Sequence, residues 1–116
     1  MVDEWIKEIK KKCPPDRLSM ILVHNGIVRA TSKKGAQVAR MNLSFDRAAL
    51  DKAVRRFKER EGIVEIRAWI NEGTLNVGDD IMCVCVAGRF RTDVLPVFQE
   101  LISLIKTEIV KEDETS

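Results

Sequence analysis

The stretch from Ile81 to Thr92 constrains the fold of this chain more than any other. Six consecutive apolar residues, Ile81 to Val86, are followed by Ala87, Gly88 and a short basic segment. Successive side chains of a strand point to opposite faces, so an uninterrupted apolar run is typical of a strand covered on both faces. The stretch therefore predicts a buried, central strand that ends in a tight turn.

The segment after this strand is striped with apolar residues and predicts the last helix, from an N-cap at Thr92 to about Val110. Helix N-termini carry free N–H groups and partial positive charge. Arg89 and Arg91, beside this N-terminus, are therefore candidates for binding an anion. A solvated turn would explain the two arginines without any ligand, and that alternative stays open.

Three further elements are predicted before residue 46. Asp3 is the expected cap of a first helix that ends near Lys12. Residues 18–29 are rich in β-forming residues, and Gly26 in this segment indicates a bulge or a close backbone approach. Residues 37–45 alternate between apolar and polar side chains, which predicts a half-buried strand. We expect the two strands to pair as an antiparallel hairpin.

The middle of the chain adds a helix and a strand. Asp46 is the expected cap of a second helix, which Gly62 ends. Residues 63–70 alternate as a strand with Trp69 on its polar face, and residues 71–80 are predicted to be a loop. The order α-β-β-α-β-β-α predicts an α+β fold, a mainly antiparallel sheet with packed helices. We expect a single domain over residues 1–116, with a disordered tail at 112–116.

The composition narrows the functional classes. A formal net charge of +2, with basic residues interleaved with acids, favours neither nucleic acid nor a membrane surface as a partner. Three cysteines and one histidine without ligand spacing argue against a metal site and a disulfide framework. The charged first residues do not resemble a signal sequence. These features predict a cytoplasmic protein.

Other candidate residues have ordinary structural explanations. Arg29 follows a strand and is explained equally well as a charge at a sheet edge. Lys106 and Lys111 complement the dipole of a helix C-terminus, although a desolvated lysine is also a possible acid, base or nucleophile. Their spacing places them about 140° apart on an ideal helix, so they share a site only if the helix ends between them. His24 is interpreted as a structural residue or a surface group.

Four local strings, taken in their order, resemble the large, catalytic subunit of molybdopterin synthase. The resemblance extends from about Met20 to Lys111. The strings are Gly26-Ile27-Val28-Arg29, Gly73-Thr74-Leu75-Asn76-Val77-Gly78-Asp79, Val84-Cys85-Val86-Ala87-Gly88-Arg89-Phe90-Arg91-Thr92 and Ile105-Lys106-Thr107.

This resemblance implies a sulfurtransferase that acts as a homodimer. Such a subunit accepts the thiocarboxylated Gly-Gly tail of a small ubiquitin-like sulfur-carrier subunit and passes sulfur to a cyclic pyranopterin monophosphate. The product is molybdopterin, and no cofactor or metal is implied. Arg29, Arg91 and Arg89 would bind the anionic substrate. Lys106 would be the catalytic lysine, and Lys111 is the candidate for the second one.

The chain departs from the family pattern at three places. Phe90 stands where the family has a histidine, and Ile70 replaces a histidine common before the Gly73 turn. Lys106 and Lys111 are five residues apart, whereas seven residues with a Pro and a Trp are usual. These departures motivate an alternative, a non-catalytic paralogue that binds a sulfur-carrier-like partner or serves as a dimeric scaffold.

Overall fold

The computed structural model describes residues 1–116, which form three α-helices, six strands and one π-helical turn. In chain order the elements are α1 (Val2–Lys12), β1 (Met20–Ile27), β2 (Arg40–Phe45), α2 (Arg47–Lys58), β3 (Ile63–Ile70), β4 (Gly73–Asn76), β5 (Asp80–Gly88), α3 (Arg91–Leu104), the π-helical turn (Ile105–Ile109) and β6 (Val110–Thr115). The predicted α+β class and the order of the main elements are confirmed.

The apolar run identified in the sequence is the centre of the first sheet. β5 lies between β1 and β3 and is antiparallel to both. One face of β5 contributes Val84 and Val86 to the main core, together with Leu101 of α3. The other face packs Cys85 against Ile9 of α1. The prediction of a central strand covered on both sides is therefore confirmed.

The predicted hairpin between the first two strands is wrong. β1 pairs with β5, whereas β2 is the centre of a second antiparallel sheet, between β4 and β6. The intervening segment folds on itself through a bridge between Thr31 and Gln37, and Val28 and Val38 at its two ends are buried. An alternating pattern indicates a strand and its buried face, but it does not indicate the partner strand. The pairing was predicted from proximity in the sequence alone, and that prediction failed for this reason.

The C-terminal segment is a strand, contrary to the predicted disordered tail. β6 pairs with the whole of β2, from Val110 opposite Phe45 to Thr115 opposite Arg40. Its exposed side chains, mainly acidic, give no apolar alternation to detect. Backbone hydrogen bonds to β2 hold such a strand in place, and these bonds do not depend on side-chain type. The predicted loop at 71–80 likewise contains the short strand β4.

Helix starts were predicted with mixed success. Asp46 caps α2 as expected, since its Oδ1 accepts a hydrogen bond from the Ala49 N–H at 3.1 Å. In α1, Asp3 lies in the first turn and Met1 is the N-cap. The N-cap of α3 is Phe90 rather than Thr92, and its side chain makes no capping bond.

The bulge expected at Gly26 is present, because the register with β5 shifts between Gly26 and Ile27.

Two glycines allow the end of β5 to approach the turn before β3. The Arg89 N–H donates to the Gly62 carbonyl at 2.8 Å, and the Ser19 hydroxyl donates to the Arg89 carbonyl. A Cβ at Gly88 would overlap the Gly62 carbonyl oxygen and a Val94 methyl group. The absence of a side chain at Gly88 therefore lets α3 begin directly beside the turn.

We expect Gly88→Ala to lower the free energy of unfolding by about 1–3 kcal/mol, because the new methyl group meets backbone that cannot move aside cheaply. Gly35→Ala is the matched control, since Gly35 has a positive φ of 86° but open space around it. Its cost is the backbone strain alone, about 1–2 kcal/mol. Urea denaturation measures the free energy of unfolding of both variants. A loss at Gly88 well below the loss at Gly35 would contradict the close approach.

Candidate functional site

The guanidinium of Arg89 is occupied by neighbouring carboxylates. Its Nε lies 3.3 Å from Asp93 Oδ2, one turn into α3, and its Nη2 lies 3.4 Å from Glu61 Oε1. It also stacks on the Phe90 ring, 4.7 Å from the centroid. Arg89 lines a cavity of about 360 Å³ that other charged residues of both signs also line. This arginine is largely neutralised in place and is a weak candidate for binding a further anion.

Arg91 is the free cation at the start of α3. It is the first residue of the helix, it is exposed, and it makes no hydrogen bond or ion pair to another side chain. The first-turn carboxylate that would otherwise compensate it, Asp93, contacts Arg89 instead. A free guanidinium next to exposed helix N–H groups is a suitable arrangement for an anionic oxygen.

Arg29 is fixed by the loop that follows β1. Its Nε donates to the Thr31 carbonyl at 2.8 Å and its Nη2 donates to the Ser32 carbonyl at 2.9 Å. The preceding residue, Val28, is buried and exchanges backbone hydrogen bonds with Gly78 and Asp79. A guanidinium carries five N–H donors, so three remain available to a ligand. Arg29 is therefore an oriented cation rather than a mobile one.

Lys106 lies in the π-helical turn at the end of α3. Ile105 and Ile109 are the buried residues of this turn, while Lys106 is exposed and makes no hydrogen bond or ion pair. Single π-helical turns inside helices are frequent at functional sites. The wide turn ends the helix at Ile109, so Lys111 belongs to β6, opposite Ser44. The condition for the two lysines to share a site, a helix end between them, is fulfilled.

The five predicted residues do not form a connected cluster within one chain. No hydrogen bond or ion pair joins any two of them, and of the five only Arg89 lines the 360 Å³ cavity. Arg29 lies after β1 and Arg89 lies between β5 and α3. The other three residues belong to the start of α3, the π-helical turn and β6. All five are cations and four of them are exposed, whereas Arg89 is half-buried.

His24 is a residue that the sequence interpretation assigned only a structural or surface role. It lies half-buried on β1, and its Nε2 is buried without a hydrogen-bond partner. Burial, and then the nearby Lys106 ammonium, lower the pKa of the His24 imidazole. The available sequence signal was its position two residues before Gly26, because residues i and i+2 of a strand share a face.

The cysteines have the properties of apolar filling. All three are free, and burial raises the pKa of the Cys85 thiol to about 11. Burial also raises the pKa of Cys83 and of the half-buried Cys13. A protonated thiol is a poor nucleophile, so none of the three is a candidate for covalent chemistry. No group of His, Cys, Asp and Glu side chains is arranged to hold a metal ion.

Comparison with protein families identifies the fold and its relatives. The family model described as MoaE protein matches residues 2–108 of the chain. The chain belongs to the MoaE family. No curated protein matches the sequence, and no helix of the structure is long and apolar enough to cross a membrane.

Solved structures of this family have the same fold as the chain. Molybdopterin synthase from Staphylococcus aureus is 16% identical, with a TM-score of 0.76 over 95% of this chain and 82% of that one. The molybdopterin biosynthesis MoaE protein from Burkholderia ambifaria is 21% identical, with a TM-score of 0.80 over 100% and 77%. A complex of subunits 1 and 2 of molybdopterin-converting factor from Helicobacter pylori is 16% identical, with a TM-score of 0.76 over 97% and 74%.

Proposed function

We propose that this chain is the large, catalytic subunit of molybdopterin synthase. It transfers sulfur from the thiocarboxylated C-terminus of a small ubiquitin-like subunit to a cyclic pyranopterin monophosphate, and the product is the dithiolene of molybdopterin. The observation that carries this proposal is the MoaE family match over residues 2–108. The common fold of the chain and solved molybdopterin synthases supports it.

The arginines supply the binding energy for the anionic precursor. Arg91 is free and lies at a helix N-terminus, and Arg29 is held in one orientation by two loop carbonyls. Charge-assisted hydrogen bonds from such groups to a phosphate are stronger than neutral ones. Arg89 contributes mainly by holding the turn, because Asp93 and Glu61 already occupy its guanidinium.

Lys106 is the group that we assign to the chemical step. An exposed lysine with no partner can reach an acyl group, donate a proton to it, or attack it as an amine. The thiocarboxylate sulfur forms a bond to a carbon of the precursor and displaces an oxygen substituent, which leaves as water. The bond between the acyl carbon and sulfur then breaks, and water takes the acyl carbon, directly or after its transient capture by the Lys106 amine, so that the tail becomes a carboxylate. Lys111, on the strand that follows, is the second candidate for stabilising this exchange.

Partners and location follow from the same assignment. The similar Helicobacter pylori protein was solved as a complex of two subunits, and we propose a small subunit with a Gly-Gly tail as the partner here. A homodimer is also proposed, since the cations of one chain lie on separate elements. We place the reaction in the cytoplasm, where the three free cysteines would remain reduced.

One feature favours a second function, that of a non-catalytic paralogue. Phe90 stands where the resemblance predicts a histidine, and its side chain is 56% exposed. An exposed aromatic ring that stacks on Arg89 cannot transfer a proton. A chain that retains partner binding but has lost sulfur transfer would present such a surface.

Reconstitution separates the two functions. The purified chain is mixed with a thiocarboxylated small subunit and the pyranopterin precursor, and dithiolene product is measured alongside binding of the small subunit. The proposed function predicts both product and binding. Binding without product would leave the paralogue as the explanation, and the absence of binding would remove both.

A further inference from the structure

The π-helical turn at the end of α3 is fixed by its core residues and by its backbone. Ile105 and Ile109 are buried in the main core. The Val110 N–H donates to the Ile105 carbonyl, five residues earlier, and the Asp46 N–H donates to the Ile109 carbonyl at 3.1 Å. Because π-helical turns are rare, a turn of this kind depends on the contacts that hold it.

Thr107 adds a side-chain hydrogen bond to these contacts. Its Oγ1 donates to the Ser103 carbonyl at 2.8 Å, and no other side chain of the turn makes a hydrogen bond or ion pair. Ser103 belongs to the last turn of α3, whereas Thr107 lies in the π-helical turn. Threonine hydroxyls that bond to the carbonyl four residues earlier often bend a helix. Here the bond crosses the junction between the two kinds of helix.

Lys106 lies inside the segment that this bond closes. It follows the fully buried Ile105 and precedes Thr107, and its own side chain makes no hydrogen bond or ion pair. The direction in which its side chain leaves the backbone is therefore decided by its neighbours. An error of about 1 Å in the position of a reacting group can cost about 100-fold in rate.

We infer that Thr107 is a positioning residue for Lys106. Its hydroxyl ties the π-helical turn to α3 and fixes the direction from which Lys106 approaches the acyl group. Thr107 acts through the backbone of the turn and takes no part in the chemical step. The inference deepens the proposed function and rests on it for the reaction that Lys106 serves.

Two substitutions separate the hydroxyl of Thr107 from the rest of its side chain. Thr107→Val removes the hydroxyl and keeps the β-branched shape, whereas Thr107→Ser keeps the hydroxyl and loses the methyl group. Thr107 is exposed, so neither variant disturbs the core. Thr115→Val is the matched control, since Thr115 is an exposed threonine of β6 whose hydroxyl makes no hydrogen bond.

The first test measures amide hydrogen exchange by NMR and needs no activity. The Val110 N–H closes the π-helical turn, so its exchange rate reports how often the turn opens. We expect exchange about 3–10-fold faster in Thr107→Val, which is the range for the loss of one hydrogen bond. Thr107→Ser and Thr115→Val should exchange at the wild-type rate.

The Val84 N–H of the central strand β5 distinguishes local opening from global unfolding. Its exchange should be unchanged in all three variants. Wild-type exchange at Val110 in Thr107→Val would overturn the inference, and so would equal acceleration in Thr107→Val and Thr107→Ser.

The second test measures product formation with the complete complex. Thr107→Val should lower kcat about tenfold, with little change in KM for the precursor or in binding of the small subunit. Thr107→Ser and Thr115→Val should both stay within about threefold of the wild type, because each keeps the hydrogen bond to Ser103.

A kcat for Thr107→Val equal to that of Thr115→Val would contradict the positioning role, as would equal losses in the two Thr107 variants. Failure of the proposed function gives a different result. The wild-type complex would then form no product, whereas hydrogen exchange at Val110 would still decide whether the Thr107 hydroxyl holds the turn.

Discussion

Lys106→Ala should reduce the rate of product formation by about 10²–10⁴-fold and leave binding of the small subunit unchanged. This is the range expected when a positioned acid, base or nucleophile is removed. Lys106 is exposed on the π-helical turn, and the buried residues of this turn are Ile105 and Ile109. Truncation of its side chain therefore leaves the core intact, and the loss should appear in kcat rather than in stability.

Single-turnover kinetics with preloaded small subunit measures this loss. Lys52→Ala is the matched control, because Lys52 is an exposed lysine of α2 that makes no ion pair. Its rate should stay within about twofold of the wild type, as is usual for an exposed surface substitution. A Lys106→Ala rate equal to that of this control would remove Lys106 from the mechanism.

Arg91→Ala should raise KM for the pyranopterin precursor by about 10–100-fold with a smaller change in kcat. Each hydrogen bond to a charged group contributes about 1.5–3 kcal/mol, which corresponds to this range. The guanidinium of Arg91 is exposed and unpaired, so no interaction inside the protein is lost with it. The wild-type KM should also rise with salt concentration, because exposed charges are screened.

Arg89→Ala provides the contrast for this prediction. Its guanidinium contacts Asp93 and Glu61, so the variant should alter the turn more than the affinity for the precursor. Initial rates over a range of precursor concentrations resolve both variants. An Arg91→Ala KM unchanged from the wild type, or a larger KM effect at Arg89 than at Arg91, would contradict the assignment of the substrate anion to Arg91.

Several elements of the fold could be predicted from the sequence because their signals are local. The apolar run in β5 requires cover on both faces, and the structure provides it from α1 and from the main core. Asp46 predicts a helix start through a bond that its own side chain makes. Gly26 predicts a bulge because a glycine inside a strand marks irregular backbone.

Strand pairing and the C-terminal strand could not be predicted, because no local signal in the sequence indicates them. The partner of β2 is decided by contacts between distant parts of the chain, and it is β4 and β6 rather than its neighbour β1. β6 is an edge strand with exposed, mainly acidic side chains, so its position depends on backbone hydrogen bonds. Such bonds do not depend on side-chain type, so the amino-acid sequence does not indicate them.

The candidate site also has features that the sequence could indicate and features that it could not. The resemblance selects Arg29, Arg91 and Lys106 as residue types at given positions, and their roles remain predictions. Whether an arginine is paired with carboxylates depends on contacts in the folded chain. The sequence therefore could not show that Asp93 and Glu61 neutralise Arg89. Nor could it show that burial, and then the charge of Lys106, lower the pKa of the His24 imidazole.

A stoichiometric single turnover tests the central claim most directly. A dithiolene contains two sulfur atoms and each thiocarboxylate tail carries one, so conservation of atoms requires two tails for each product. The chain, the thiocarboxylated small subunit and the precursor are mixed, and lost thiocarboxylate and formed dithiolene are counted together. Sulfur transfer by this chain predicts two tails converted to carboxylate per dithiolene, with neither change in Lys106→Ala. Loss of thiocarboxylate without dithiolene, or a stably bound tail that keeps its sulfur, would contradict it.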